Sequence, residues 1–187
     1  MSQARFATVG DLFDTYPSAS ADIGAAEGGM RSLDFVRTKV GKKDWEAAVS
    51  FCAYLLPRRV AVAWACQSIR RMAGELRSDE ERMLGFAEDW VEEPEEPRRR
   101  KVLASGTMGD KKSPATWVAL AAGWSGGSVV PDEMGYAPAD PEQTAKAVRV
   151  AFFIALSRLE GDAKHRVMTA CLEDGIKFAS GSSIAPR

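Results

Sequence analysis

A chain of 187 residues with 45% hydrophobic content can bury one sizeable core, and its length fits a single domain. Its 25 basic residues balance 26 acidic ones, and the net charge of -1 supplies no general attraction to nucleic acid or to an anionic membrane surface. Cys52, Cys66 and Cys171 form no close-spaced ligand set and read as small core residues in a reducing compartment.

The first residues show no basic start followed by an unbroken apolar run, and charge interrupts every apolar run before the ~20 residues that a bilayer requires. A cytoplasmic protein without membrane insertion is expected. Residues 6–16 predict a short amphipathic helix on Phe6, Val9, Leu12 and Phe13, with Thr8 as its cap, although Gly10 weighs against it. From Pro17 to Gly29 small residues dominate. Residues 1–32 are therefore expected as a short helix and a flexible arm. The stretch 31–41 is compatible with a helical turn or a short extended piece.

From Asp44 the pattern sharpens: Trp45, Ala48, Val49, Cys52 and Leu56 share one helical face. Pro57 suits the first turn of a second helix, where its missing N–H is not needed. That helix carries Val62, Ala65, Cys66, Ile69 and Ala73 on one stripe and Val60, Ala61 and Trp64 on another, so it should be covered on two sides. Ser78 and Glu81 have capping-box spacing before a helix with Met83, Leu84, Ala87, Trp90 and Val91 inward. Pro94 and Pro97 interrupt the pattern, and a short helix toward Met108 follows.

Ser113-Pro114 starts another helix, continued by Trp117, Leu120, Ala121 and Trp124. The long connection "SVVPDEMGYAPAD" leads to Asp140-Pro141-Glu142-Gln143, the strongest helix start in the chain. Ala145, Val148, Phe152, Ala155, Leu156 and Leu159 form its main stripe. A last helix places Met168, Cys171, Leu172 and Ala179 inward, and residues 181–187 are expected as a disordered tail. No stretch alternates like a strand. The expected class is all-α: about seven helices in one domain over 33–180, arranged as an antiparallel bundle or a HEAT-like helical stack.

Gly123-Trp124-Ser125-Gly126-Gly127 matches the G-x-S-x-G pattern of serine hydrolases, and Asp140 or Asp162 followed by the sole histidine, His165, even completes the chain order of a triad. The chemistry needs a strand that ends in a strained turn before a helix. Here a helix runs into Ser125 and none begins after it, so the glycines read as a helix terminus. His165, beside Lys164 and Arg166, is expected to face solvent. Glu80-Glu81 and Glu88-Asp89 fall on predicted solvent faces and do not read as a catalytic dyad. No phosphate-loop, dinucleotide, zinc-helix or EF-hand pattern occurs, so no cofactor and no metal are expected.

Four glutamates precede three arginines and a lysine between Glu92 and Lys101. Their plain reading is a solvated loop and helix start; the functional one is a charged docking surface. Arg98, Arg99 and Arg100 are the candidate protein-binding residues there. Arg58, Arg59, Arg70 and Arg71 would either extend that surface or pair with acids of neighbouring helices. All five tryptophans suit the core, but Trp124, beside two glycines, is also a candidate: its ring would fold the next loop back or stay exposed as a binding anchor.

The segments "LLPRRVAVAWACQSIRR", "FAEDWVEEPEEPRRR", "PATWVALAAGWSGGSVVP" and "AVRVAFFIALSRL" resemble those of an uncharacterised bacterial family with a Trp-Ser-Gly-Gly-Ser signature, over roughly Trp45 to Leu159. The resemblance leaves the N-terminal arm and the last helix outside and transfers no catalytic residue. It implies a helical accessory protein of Gram-negative bacteria, with some relatives linked to type VI secretion. The expected function is a non-enzymatic adaptor, chaperone or structural accessory whose partner is another protein: a secretion component, an effector or a toxin. An immunity protein that neutralises a toxin is the alternative among binding proteins, and a serine hydrolase using Ser125 and His165 is the alternative among enzymes.

Overall fold

Thr8, with its hydroxyl and its own N–H, closes the first helix: the Oγ1 accepts from Asp11 N–H at 3.2 Å, and the Asp11 carboxylate accepts from Thr8 N–H at 2.9 Å. The computed structural model describes residues 2–181. Along them run α1 (Val9–Thr15), α2 (Ala19–Ile23), α3 (Ser32–Gly41), α4 (Trp45–Leu55), α5 (Arg58–Ala73), α6 (Ser78–Glu92), α7 (Glu96–Met108), α8 (Pro114–Gly123), a 3-10 turn (Asp132–Met134), α9 (Gln143–Ser157) and α10 (Gly161–Ser180). The protein is all-α; no strand occurs among the described residues. Apart from Gly181, the expected disordered tail lies outside them.

The chain divides into two compact units, where length alone suggested one domain. The first is discontinuous and comprises residues 1–57 and 161–187; the second is residues 58–160. Length and composition carry no trace of a chain that leaves one unit and returns to it.

In the first unit α4 packs with α2, α3 and α10, and every residue from Ala47 to Leu55 is buried. The helix capped by Asp44 thus has no solvent face along this run. The segment 17–32, expected as a flexible arm, contains α2, with Ala19 and Ile23 buried. Two things hold it: the Tyr54 hydroxyl donates to Asp22 at 3.0 Å, and the chain returning after it meets the N-terminal segment through Gly10 N–H to Gly28 O (2.8 Å) and Val9 N–H to Met30 O (2.9 Å). Gly10, within α1, lets the Gly28 carbonyl approach closely: a Cβ there would stand 3.0 Å from that oxygen.

The second unit gathers α5, α6, α7 and α9 around α8. Nine of the ten residues of α8 are buried, and only Trp117 is partly open, with its indole N–H donating to Lys111 O at 2.9 Å. A helix with four alanines and no charged residue among its ten, apolar on nearly every side, suits a central position. Its approach to α7 is close: a Cβ on Gly123 would fall 2.7 Å from Leu103 Cβ, and one on Gly106 would fall 2.9 Å from Leu120 N. The two-sided burial expected of α5 is present, with Ala61, Val62, Trp64, Ala65, Cys66 and Ile69 buried and Val60 and Ala73 half-buried. Trp64 lies against Phe152 of α9 with ring centroids 4.3 Å apart, a contact type worth about 1 kcal/mol beyond the area it buries.

The start of α6 differs from the Ser78–Glu81 capping box read in the sequence. Only the return half of such a box is present, one residue earlier: the Glu80 carboxylate accepts from Arg77 N–H at 3.2 Å, while the Arg77 guanidinium has no acceptor to offer the helix. Glu80 is consequently not on a solvent face: it is 3% exposed and accepts from the Ser113 hydroxyl at 2.7 Å. At α9 the expected contact of Gln143 Oε1 with Asp140 N–H is present at 3.1 Å, but the helix starts at Gln143 with Glu142 as its cap residue, so Asp140 and Pro141 lie in the turn before it.

Candidate functional site

The two stretches that the sequence marks, 98–100 and 123–128, meet in the second unit, and Arg99 joins them. Its side chain is buried beneath the end of α8, where Nη1 donates to the Gly123 carbonyl and Nη2 donates to Ser128 O at 2.8 Å. Glu96, one turn earlier on α7, takes the same guanidinium in two bonds of 2.6 Å. Buried charge is tolerable only when it is paired and its N–H groups are used, and both conditions hold here. The Arg99 bonds, then those from Arg100, keep the Glu96 carboxyl below its ordinary range against the opposing effect of burial. Arg99 therefore offers a partner no surface.

Its neighbours are also tied to backbone. Arg100 Nη1 donates to Val130 O at 3.1 Å, while Nε meets Glu96 at 2.9 Å. Arg98 Nη1 donates to Asp89 O at 3.0 Å and its other nitrogen pairs with Glu93. Arg59 donates to Val91 O at 2.6 Å and to Glu92 O at 2.9 Å. Arg98 and Arg59 thus place positive charge on the last carbonyls of α6, where the helix dipole favours it. Arg70 pairs bidentately with Glu88, at 2.6 and 2.8 Å.

Ser125 occupies a helix end. Its hydroxyl donates to Ala122 O at 2.6 Å, and its carbonyl accepts from Arg58 Nη1 at 3.0 Å. Arg58 Nη2 reaches Pro141 O at 3.2 Å, so one side chain ties both ends of the 126–140 connection. Trp124, the C-cap residue, is half-buried and donates its N–H to Leu120 O at 2.8 Å. Gly127 has φ +61°, and a Cβ there would stand 2.7 Å from Arg99 Nη2. The glycine is needed both for the left-handed backbone and for the space the guanidinium takes.

His165 lies in the other unit. It is half-buried instead of facing solvent, because its ring sets an edge against Trp45 with centroids 4.9 Å apart. Asp140 stays in the second unit, where Oδ1 accepts from Glu142 N–H at 2.8 Å at the entry to α9.

The segment after Ser128 is a closed loop. The Ser128 hydroxyl donates to Val130 O (3.1 Å) and accepts from Val130 N–H (3.3 Å) and Ala137 N–H (3.2 Å), while Val129 N–H donates to Ala137 O at 2.8 Å. At its tip Met134 and Tyr136 are 73% and 74% exposed. From the sequence this segment is expected only as a connection. Its signal was the presence of two large apolar residues among Pro, Gly and acids, where turn chemistry alone does not require them.

A family model described as a family of unknown function (DUF6931) matches residues 35–179. The chain belongs to that family. The DUF6931 match begins ten residues before Trp45, where the sequence resemblance started, and takes in α10, which the resemblance had left outside. No curated protein and no solved structure matches the chain. Among the described residues of this DUF6931 member, no helix is long and apolar enough to cross a membrane.

Proposed function

We propose that this protein is a non-enzymatic adaptor, chaperone or structural accessory that holds another protein in the bacterial cytoplasm. The observation that carries the reading is the use made of Arg99 and Ser125: both groups that suggested chemistry or charge readout are bonded to backbone carbonyls and serve to present the loop after them. Cys52, Cys66 and Cys171 are free thiols and all buried, which supports a reducing compartment. The sequence resemblance supplies the context of type VI secretion, with a secretion component, effector or toxin as the partner.

Affinity capture of the tagged full chain from its own bacterium, followed by mass spectrometry after a salt wash, tests the reading. One stoichiometric partner is the expected result. An empty capture together with fluorophosphonate labelling that disappears in Ser125→Ala would replace the adaptor with a serine hydrolase.

A further inference from the structure

Large apolar side chains are well exposed at three places among the described residues: Met108, Met134 and Tyr136. Two of the three are separated only by Gly135, whose φ of +88° turns the chain between them. A single exposed methionine at a helix end is ordinary surface. Two large side chains on the tip of a loop whose base is bonded closed are a different case.

The base of the loop is tied from both sides. The Ser128 hydroxyl and the Val129–Ala137 hydrogen bond close its base, Arg99 and Arg100 hold Ser128 O and Val130 O, and Arg58 holds the carbonyls of Ser125 and Pro141. Ordering of the base is therefore met during folding, and less of the loop remains to be ordered on binding. Methionine adapts to irregular apolar surfaces, and tyrosine combines a large ring with a polar tip, which suits an anchor. Charge narrows the partner further. Residues 129–138, the loop itself, contain Asp132 and Glu133 and no lysine or arginine, and Glu133 is exposed beside Met134.

We infer that the 129–138 loop is the docking element of this protein and that its partner is a protein with an apolar pocket rimmed by lysine and arginine. The inference rests on the adaptor reading and specifies its surface. The binding energy comes from Met134 and Tyr136 entering the pocket, and the acidic flank sets orientation and association rate.

The test places a photo-crosslinking phenylalanine analogue singly at positions 134, 136 and 108 of the full chain in living cells, and maps each adduct to its peptide. Positions 134 and 136 should capture the same protein at a site flanked by lysine and arginine, with position 108 silent. Glu133→Lys, combined with the probe at 136, should lower the adduct yield about fivefold, as expected for reversal of a rim charge. Adducts from 108 alone would overturn the docking loop while leaving the adaptor reading in place. Adducts from 134 and 136 to an acidic or wholly polar site, or to a second copy of this chain, would overturn the partner chemistry. No adduct at any position, with an empty affinity capture, would overturn the loop and the adaptor reading together.

Discussion

Arg99 and Gly127 share one volume: the guanidinium occupies the space in which any other residue at 127 would carry its Cβ, 2.7 Å from Nη2. Gly127→Ala should therefore destabilise the fold by about 1–3 kcal/mol, because the backbone there has positive φ and the guanidinium would be displaced from the Ser128 carbonyl. Urea denaturation of the two proteins side by side measures this. An unchanged midpoint would show that the arginine is not held where its bonds place it.

Arg99→Ala should cost more, about 3–5 kcal/mol, since it leaves buried carbonyls at Gly123 and Ser128 without donors and opens a cavity. Arg98→Ala, which removes a half-exposed side chain at the end of α6, should cost no more than about 1 kcal/mol. The ratio of the two, read from the same denaturation curves, separates a buried tie from a surface pair.

Glu80 makes the second unit sensitive to acid. Burial on its own would raise this carboxyl, but the Ser113 hydroxyl, Arg77 N–H and the charges of Arg77 and Arg158 outweigh it and hold the group below its ordinary 4.5. A carboxyl depressed in the folded state stabilises fully above its unfolded value, and that contribution is lost as pH falls through the folded value. Stability should thus decline below about pH 4.5, and Glu80→Gln should flatten the decline while costing about 1–3 kcal/mol at pH 7. Melting curves from pH 7 down to acid for both proteins check the sign and the slope.

The thiols should be silent in the native state. Burial pushes Cys52 up to about 12 and Cys66 higher still, so neither is a thiolate at neutral pH or open to a reagent. Ellman's reagent at pH 8 should detect no thiol before denaturation and all three afterwards. Fast labelling of the folded protein would mean that α4 or α5 opens readily.

Ser125→Ala should remove a hydrogen bond at the end of α8 and cost about 0.5–1.5 kcal/mol, with no fluorophosphonate labelling of either protein. Labelling of the wild type alone would assign the hydroxyl to chemistry.

Much of the fold could be read from periodicity and punctuation. Thr8, Asp44 and Pro114 mark helix starts that the structure contains, and Pro57 and Asp140 mark the start of the next helix to within one and three residues, because a cap or a first-turn proline acts on groups within one turn of itself. Trp64 and Ile69 could be placed in the core by the same local logic. α2 was missed because Ala19 and Ile23 have too little apolar surface to order a segment unless Tyr54 and the 7–10 backbone are already beside it.

The candidate site divides along the same line. By itself the sequence determined that Gly123 to Gly127 end a helix, that α9 begins near Asp140 and that the chain is all-α, since each of these follows from a few consecutive residues. Only the tertiary structure decided that Arg99 is an internal tie, that Glu80 is buried, that His165 stands in a different unit from Ser125 and that Met134 and Tyr136 are displayed. Arginine and glutamate carry the same charge on a surface as inside. Which they do depends on carbonyls and hydroxyls brought from 24 to 33 residues away, and no local pattern records that approach.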